Sequence, residues 1–179
     1  MSNIYLLEAC NLFCGDHDPS ASNHLVLEEI KLPDLEEKTI AHEPGGGVMG
    51  VDWATTMVMP LNPTFKLKGM DPERLKLFGL GSTLRRKFTA YGVIREKRSN
   101  LQLEGKAIIE GVITKISGSA FKRGDGMDHD YEIKEVTSYQ LYIDKKEVFY
   151  IDVFTNRWSV GGVSQVDEMN NILRIPGAA

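Results

Sequence analysis

The sequence predicts a mostly β fold of the α+β class: an antiparallel β-barrel or sandwich with one packed α-helix and a long projecting hairpin arm. Three observations carry this expectation. Apolar and polar residues alternate with period two over most of the chain after Leu84. Only one segment, residues 71–81, carries both a clear helix start and a clear stop. Residues 36–56 are too polar for a core and are broken by Gly45, Gly46 and Gly47.

In chain order, residues 3–13 are apolar enough for a first strand, interrupted by Glu8 and Asn11. Residues 15–23 (GDHDPSASN) are a loop by composition. Residues 24–32 (HLVLEEIKL) read as a strand ended by Pro33, which has no N–H to give to a ladder. Residues 36–56 then form the expected arm, a hairpin around its glycine tip. Residues 64–68 (TFKLK) place Phe65 and Leu67 on one face and the lysines on the other, the pattern of a half-buried strand.

The expected helix opens with Asp71 as N-cap, Pro72 at the first helical position and Glu73 against the dipole. Leu75, Phe78 and Leu80 form its expected buried stripe, with Gly79 or Gly81 as the stop. Such a helix would plug one open end of a barrel. Residues 86–96 put Phe88, Ala90, Gly92 and Ile94 on one face, and residues 105–117 make a second long strand with a bulge expected at Gly111. Along residues 131–143, Tyr131, Ile133, Glu135, Thr137, Tyr139, Leu141 and Ile143 share a face. A turn at Asp144, Lys145 and Lys146 returns the chain through residues 147–154. Residues 164–173 close the chain as a short helix with Val166, Met169, Ile172 and Leu173 inward.

A chain of 179 residues suits one domain, here 1–179 with the arm included. No apolar stretch approaches the roughly 18 residues that span a bilayer, and the start MSNIYLLEAC lacks the basic region of a secretory signal. No membrane anchoring is therefore expected. A net charge of −4 disfavours tight duplex binding, which draws its affinity from neutralised phosphates. Cys10 and Cys14 are too few for a disulfide framework and too isolated for zinc.

The triplets Asp16-His17-Asp18 and Asp128-His129-Asp130 are weak metal candidates, because adjacent side chains on extended backbone point to opposite faces. Residues 124–130 lack the spacing and terminal Glu of a calcium loop. The glycine run lacks the lysine and serine of a phosphate loop. No nucleophile motif, metal-binding helix pair or isolated carboxylate pair marks a catalytic centre. Neither a metal nor a cofactor is expected. Trp53 and Trp158 read as interface or core anchors.

Several short motifs, taken in colinear order, resemble one family. They are Asn11-Leu12-Phe13; Leu32-Pro33 with Lys38-Thr39; Gly46-Gly47 followed by Val51-Asp52; residues 65–69 with 75–80; and Ser138-Tyr139, Leu141, Asp144, Glu147 and Ile151-Asp152. Together they resemble the major tail tube protein of contractile-tailed bacteriophages and R-type tailocins. Val160-Gly161-Gly162-Val163 stands where that family has an Asn-Gly-Val-Asp word before its last helix.

The resemblance implies a fold shared with the tube protein of type VI secretion, and a function in self-association. Subunits would form six-membered rings that stack into a hollow tube, their sheets joined into a continuous barrel around the lumen. The implied partners are other copies of the chain, a tail sheath protein, and baseplate and tail terminator proteins, with DNA passing through transiently and without specificity. The implied location is the virion tail, assembled in the host cytoplasm. Stacked rings need an axial surface as well as a lateral one, and the arm is the natural candidate. The expected inter-ring and inter-subunit contacts are Leu32, Pro33, Lys38, Thr39, Gly46, Gly47, Met49, Val51 and Trp53. The alternative reading is a monomeric β-barrel that binds a ligand or partner.

Overall fold

The computed structural model describes residues 3–15, 21–79, 85–124 and 126–175. Asp16, His17, Asp18, Leu80, Gly81 and Asp125, which figured in the expectations above, lie outside them. Eleven strands and two short helices are described: β1 Tyr5–Cys14, β2 Leu27–Lys31, β3 Glu37–His42, β4 Val51–Val58, β5 Thr64–Lys68, α1 Pro72–Leu75, β6 Arg86–Glu96, β7 Gln102–Gly118, β8 Asp128–Ile143, β9 Lys146–Asp152, β10 Arg157–Val160, β11 Val163–Ser164 and α2 Asp167–Leu173. The mostly β, antiparallel class expected from period two is the class observed.

Two ladders share one edge of the long strand β8, whose other edge pairs with β7. Its first half, at residues 128–132, pairs with β5, and its second half, at residues 138–143, pairs with β9. The strands β1, β6, β7, β8, β5 and β2 therefore run in an antiparallel circuit, while β9, β10 and β11 extend the sheet on the other branch. The circuit encloses the core: Leu12 from β1, Phe65 and Leu67 from β5, Phe88 from β6, Ile109 and Ile113 from β7, and Tyr131 and Ile133 from β8. Phe65 stacks flat on Tyr131 at 4.7 Å between centroids and lies 6.2 Å from Phe88, so aromatic packing holds the two walls together. The last join, β1 to β2, is not a ladder. There Asn23 donates its N–H (3.2 Å) and its Nδ2–H (2.7 Å) to the Leu12 carbonyl.

The branch needs a break in β8, and the register shows it. Glu110 faces Ser138 but Val112 faces Lys134, so β8 carries two extra residues across from Gly111. Glu135, expected on the inner face, turns out of it with φ +50° and pairs with Arg85 at 2.6 Å. Because the insertion is two residues long, Ile133 and Thr137 keep the same inward parity. Beyond it, Asp144 and Lys145 both take positive φ between Ile143 and Lys146, the mark of a two-residue type I′ turn. Gly161 and Gly162 do the same between Val160 and Val163, forming the β10–β11 hairpin.

The helices differ from expectation in detail. Asp71 caps α1 as anticipated, accepting the Glu73 N–H at 2.9 Å, but the helix lasts one turn. Once the chain leaves the helix the three-to-four spacing no longer applies, so Leu77 packs on the core and Phe78 is exposed. In α2, Val166 is buried as expected, whereas Ile172 and Leu173 are exposed. The buried position there is Asn170, whose side chain exchanges hydrogen bonds with Asn156 at 2.5 and 3.0 Å.

Candidate assembly interface

The arm begins where β2 ends. Leu32 packs against the core and Pro33 is buried beside it, so the root is fixed before the chain departs. A Lys31–Asp34 ion pair at 2.7 Å lies along the outgoing leg, and a Met59 N–H to Glu36 carbonyl bond at 2.8 Å closes the two legs together. Leu35, Val58, Phe149, Ile151, Trp158 and Val160 line a crevice of about 190 Å³ under the root. Trp158 is thus an anchor beneath the arm, and Trp53 is an exposed residue on it.

Beyond the root, β3 and β4 form a two-stranded sheet of their own, unpaired with the main sheet. Its register sets Ile40 opposite Trp53 and His42 opposite Val51. Alternation then places Ile40, His42, Val51 and Trp53 on one face, and Thr39, Ala41, Asp52 and Ala54 on the other. Near the root a two-residue irregularity falls in β4, and Thr55 Oγ1 donates to the Lys38 carbonyl at 2.7 Å there. The tip turns on Pro44, whose carbonyl accepts from Gly47 N–H at 3.1 Å. A β-carbon on Gly47 would stand 2.4 Å from Pro44 Cγ, so that position needs glycine in this turn.

Of the nine expected contact residues, Lys38, Thr39, Gly46, Gly47, Met49, Val51 and Trp53 all lie exposed on this hairpin, while Leu32 and Pro33 form its root. Ile40 was not among them, although it shares the apolar face with Trp53. The two are 58% and 60% exposed. Its signal was the single branched apolar residue within the polar run EKTIAH. Electrostatically the arm is acidic: Glu36, Glu37, Glu43 and Asp52 outnumber Lys38 over residues 36–56.

Among the described residues, no group of His, Cys, Asp and Glu is placed to hold a metal ion. Asp128 bonds Lys66 at 3.2 Å, and His129, buried, sets Nδ1 3.2 Å from the Gly69 carbonyl. No described helix is long and apolar enough to cross a membrane.

A two-stranded hairpin is marginal in water on its own, and exposed apolar side chains gathered on one face mark a contact surface. A barrel left unsealed at one join and carrying such an arm has the build of an assembling structural subunit. The chain belongs to the family of phage tail tube protein FII, whose model matches residues 7–173.

Among solved structures, a chain of the PVC extracellular contractile injection system, from its sheath/tube terminator in the extended state, shares the fold. The TM-score is 0.51 at 12% identity, over 77% of this chain and 94% of that one. A chain of the sheath–tube complex of the same system aligns at a TM-score of 0.46 and 11% identity, over 72% and 86%. No curated protein matches the chain significantly. The protein is thus a structural component of the phage tail tube type.

Proposed function

We propose that this chain is the repeating subunit of a contractile tail tube, acting by assembly and not by catalysis. Six copies close head to tail into a ring, rings stack through the arms, and the hollow stack passes DNA, or only small ions in a tailocin. The observation that carries this reading is the family match across residues 7–173. The free hairpin supports it, because its apolar face has no cover within the subunit.

A sheath protein, a tail terminator and a baseplate are the proposed partners, and the proposed setting is a phage or tailocin tail particle assembled in the host cytoplasm. Leu32, Pro33, Lys38, Thr39, Gly46, Gly47, Met49, Val51 and Trp53 are proposed as contact residues between subunits and rings. A heterologous contact closes only if its rotation closes, so ring formation is the direct test.

Negative-stain electron microscopy of the purified chain over a concentration series, with native mass on the same samples, reads it. Six-membered rings or hollow tubes are the expected result. A chain that stays monomeric when concentrated, and when offered a baseplate-containing lysate, overturns the proposal in favour of a ligand-binding barrel.

A further inference from the structure

Methionine is a common core residue, yet the hydrophobic core of the described residues contains none. Three of the chain's seven methionines instead fall together on the arm, at Met49, Met57 and Met59. They are 70%, 57% and 39% exposed. The two extra residues near the root keep the parity of β4, so Met57 shares the face of Val51 and Trp53. Val58, on the opposite face, lines the crevice under the root. Met49 precedes β4 at the tip and Met59 follows it at the root. The arm thus carries thioethers at its tip, on its apolar face and at its root.

Thioethers and thiols are the side chains that mild oxidants attack, and the two thiols of this chain compete poorly. The thiolate is the reactive form of cysteine. Burial raises Cys10 and pushes Cys14 up to about 11, so both stay protonated at neutral pH. A thioether has no proton to lose, and these three stand in solvent.

We propose that the arm methionines are a reversible oxidation site that sets whether a free subunit can assemble. The oxidant is a peroxide. The sulfur lone pair attacks one oxygen of hydrogen peroxide, an S–O bond forms and the O–O bond breaks. The proton of the transferred oxygen passes to the departing hydroxide, which leaves as water. Sulfur is oxidised by two electrons to the sulfoxide, and the peroxide is reduced. The inference rests on the tube reading, since it needs the arm to be a contact surface. A sulfoxide is a strong acceptor where an apolar contact offers no donor, so burying it beside Trp53 weakens that contact. Methionine sulfoxide reductases reverse the change, a dithiol becoming a disulfide as the oxygen leaves as water.

The test treats the free full-length chain with a series of hydrogen peroxide doses at pH 7, then removes the peroxide. Peptide mass reads every methionine and cysteine, and sedimentation reads the threshold concentration for rings or tubes. Met49 and Met57 are expected to reach sulfoxide before the half-buried Met127 and Met169. The threshold should rise at least tenfold while the circular dichroism melt holds. Reductases of both epimer specificities with a dithiol should restore it. Two variants locate the effect, each compared only with its own untreated form. Met49→Leu, Met57→Leu and Met59→Leu combined should abolish the peroxide-induced rise. Met70→Leu, which removes a methionine 56% exposed outside the arm, should keep it. On the unsubstituted chain the rise must follow sulfoxide at 49, 57 and 59 across the dose series, a reading that stands whether or not the triple variant assembles. Arm sulfoxide without a rise, a rise that follows Met70 or a cysteine, a rise that comes with unfolding, or repair without recovery overturns the oxidation site and leaves the tube reading intact. Failure of the untreated, unsubstituted chain to assemble overturns both.

Discussion

Gly111 of β7 lies directly under the Lys134 carbonyl of β8: a β-carbon there would stand 2.9 Å from that oxygen and 2.7 Å from Ile133 Cγ2. The close approach occurs where β8 carries its two extra residues and switches its neighbour from β5 to β9. Gly111→Ala is expected to destabilise the subunit by about 1–3 kcal/mol, since backbone in a ladder cannot yield as a flexible side chain does. Thermal or urea unfolding of the free subunit reads this, and an unchanged midpoint would show that the strand pair relaxes freely.

Arg74 closes the α1 end of the barrel from the side. Its Nε donates to Asn23 Oδ1 and its Nη2 to the Ala21 carbonyl, each at 3.0 Å. Asn23 is buried and spends its own donors on Leu12 and Ala21. Removing the guanidinium leaves a buried amide oxygen without a donor, a loss of about 1–3 kcal/mol. Arg74→Ala should lower the urea midpoint at constant slope. Arg74→Lys should recover only part, because an ammonium cannot span both acceptors in the planar fork.

Much of this architecture was legible in the chain because burial on one face forces period two. Residues 64–68 and 86–96 form the strands their alternation anticipated, and Asp144 opens the expected turn. The break in β8 was harder to see because a two-residue insertion restores parity, so the alternation runs on through it. Its trace was Glu135, a charge on an otherwise apolar face.

The β10–β11 hairpin has its local trace in Gly161-Gly162 between two valines, a turn signal at the place where this chain departs from the family pattern. The Arg74–Asn23 clasp joins positions 51 apart, and no local period encodes that. At the arm, glycines and charge marked the projecting segment, but the pairing of Ile40 with Trp53 appears only once the hairpin register is known.

That pairing leads to a separation of folding from assembly. Ile40→Ala and Trp53→Ala remove exposed side chains from a hairpin outside the core, so the subunit's unfolding free energy should stay within about 0.5 kcal/mol. Assembly should suffer instead, with the threshold concentration for rings or tubes rising at least about tenfold for Trp53→Ala, as for an aromatic anchor at an interface. Circular dichroism melts and sedimentation of the same samples separate the two effects. Equal loss of stability and assembly would place Trp53 in the fold rather than the interface.

The cysteines offer a probe of the same barrel. Burial pushes the Cys14 thiol up to about 11 and raises Cys10 as well, although Cys10 is only half-buried. The thiolate is the reactive species, so at pH 8 Cys10 should react with a disulfide reagent first. Cys14 should wait for unfolding. Two well-separated rates, merging in denaturant, are the expected outcome; equally fast reaction in the native subunit would contradict a sealed α1 end.

Acid stability should depend on Glu28 of β2, whose carboxylate reaches Lys66 at 3.0 Å and Lys68 at 3.1 Å, both on β5. The Lys66 contact, then the Lys68 contact, hold its carboxyl below the ordinary value of 4.5. With a depressed folded-state pKa, the unfolded chain takes up the proton first as pH falls. The stabilisation is therefore complete above the unfolded value and fades as pH drops through the folded one. Glu28→Gln should leave a smaller fall in stability below pH 4.5 than the unsubstituted chain shows, and added salt should narrow the difference because the groups are solvent-exposed. Urea midpoints measured down the acid limb decide the matter. Curves that stay parallel for the two chains would mean that Glu28 titrates alike in both states, and that the ion pairs contribute nothing to holding β2 on β5.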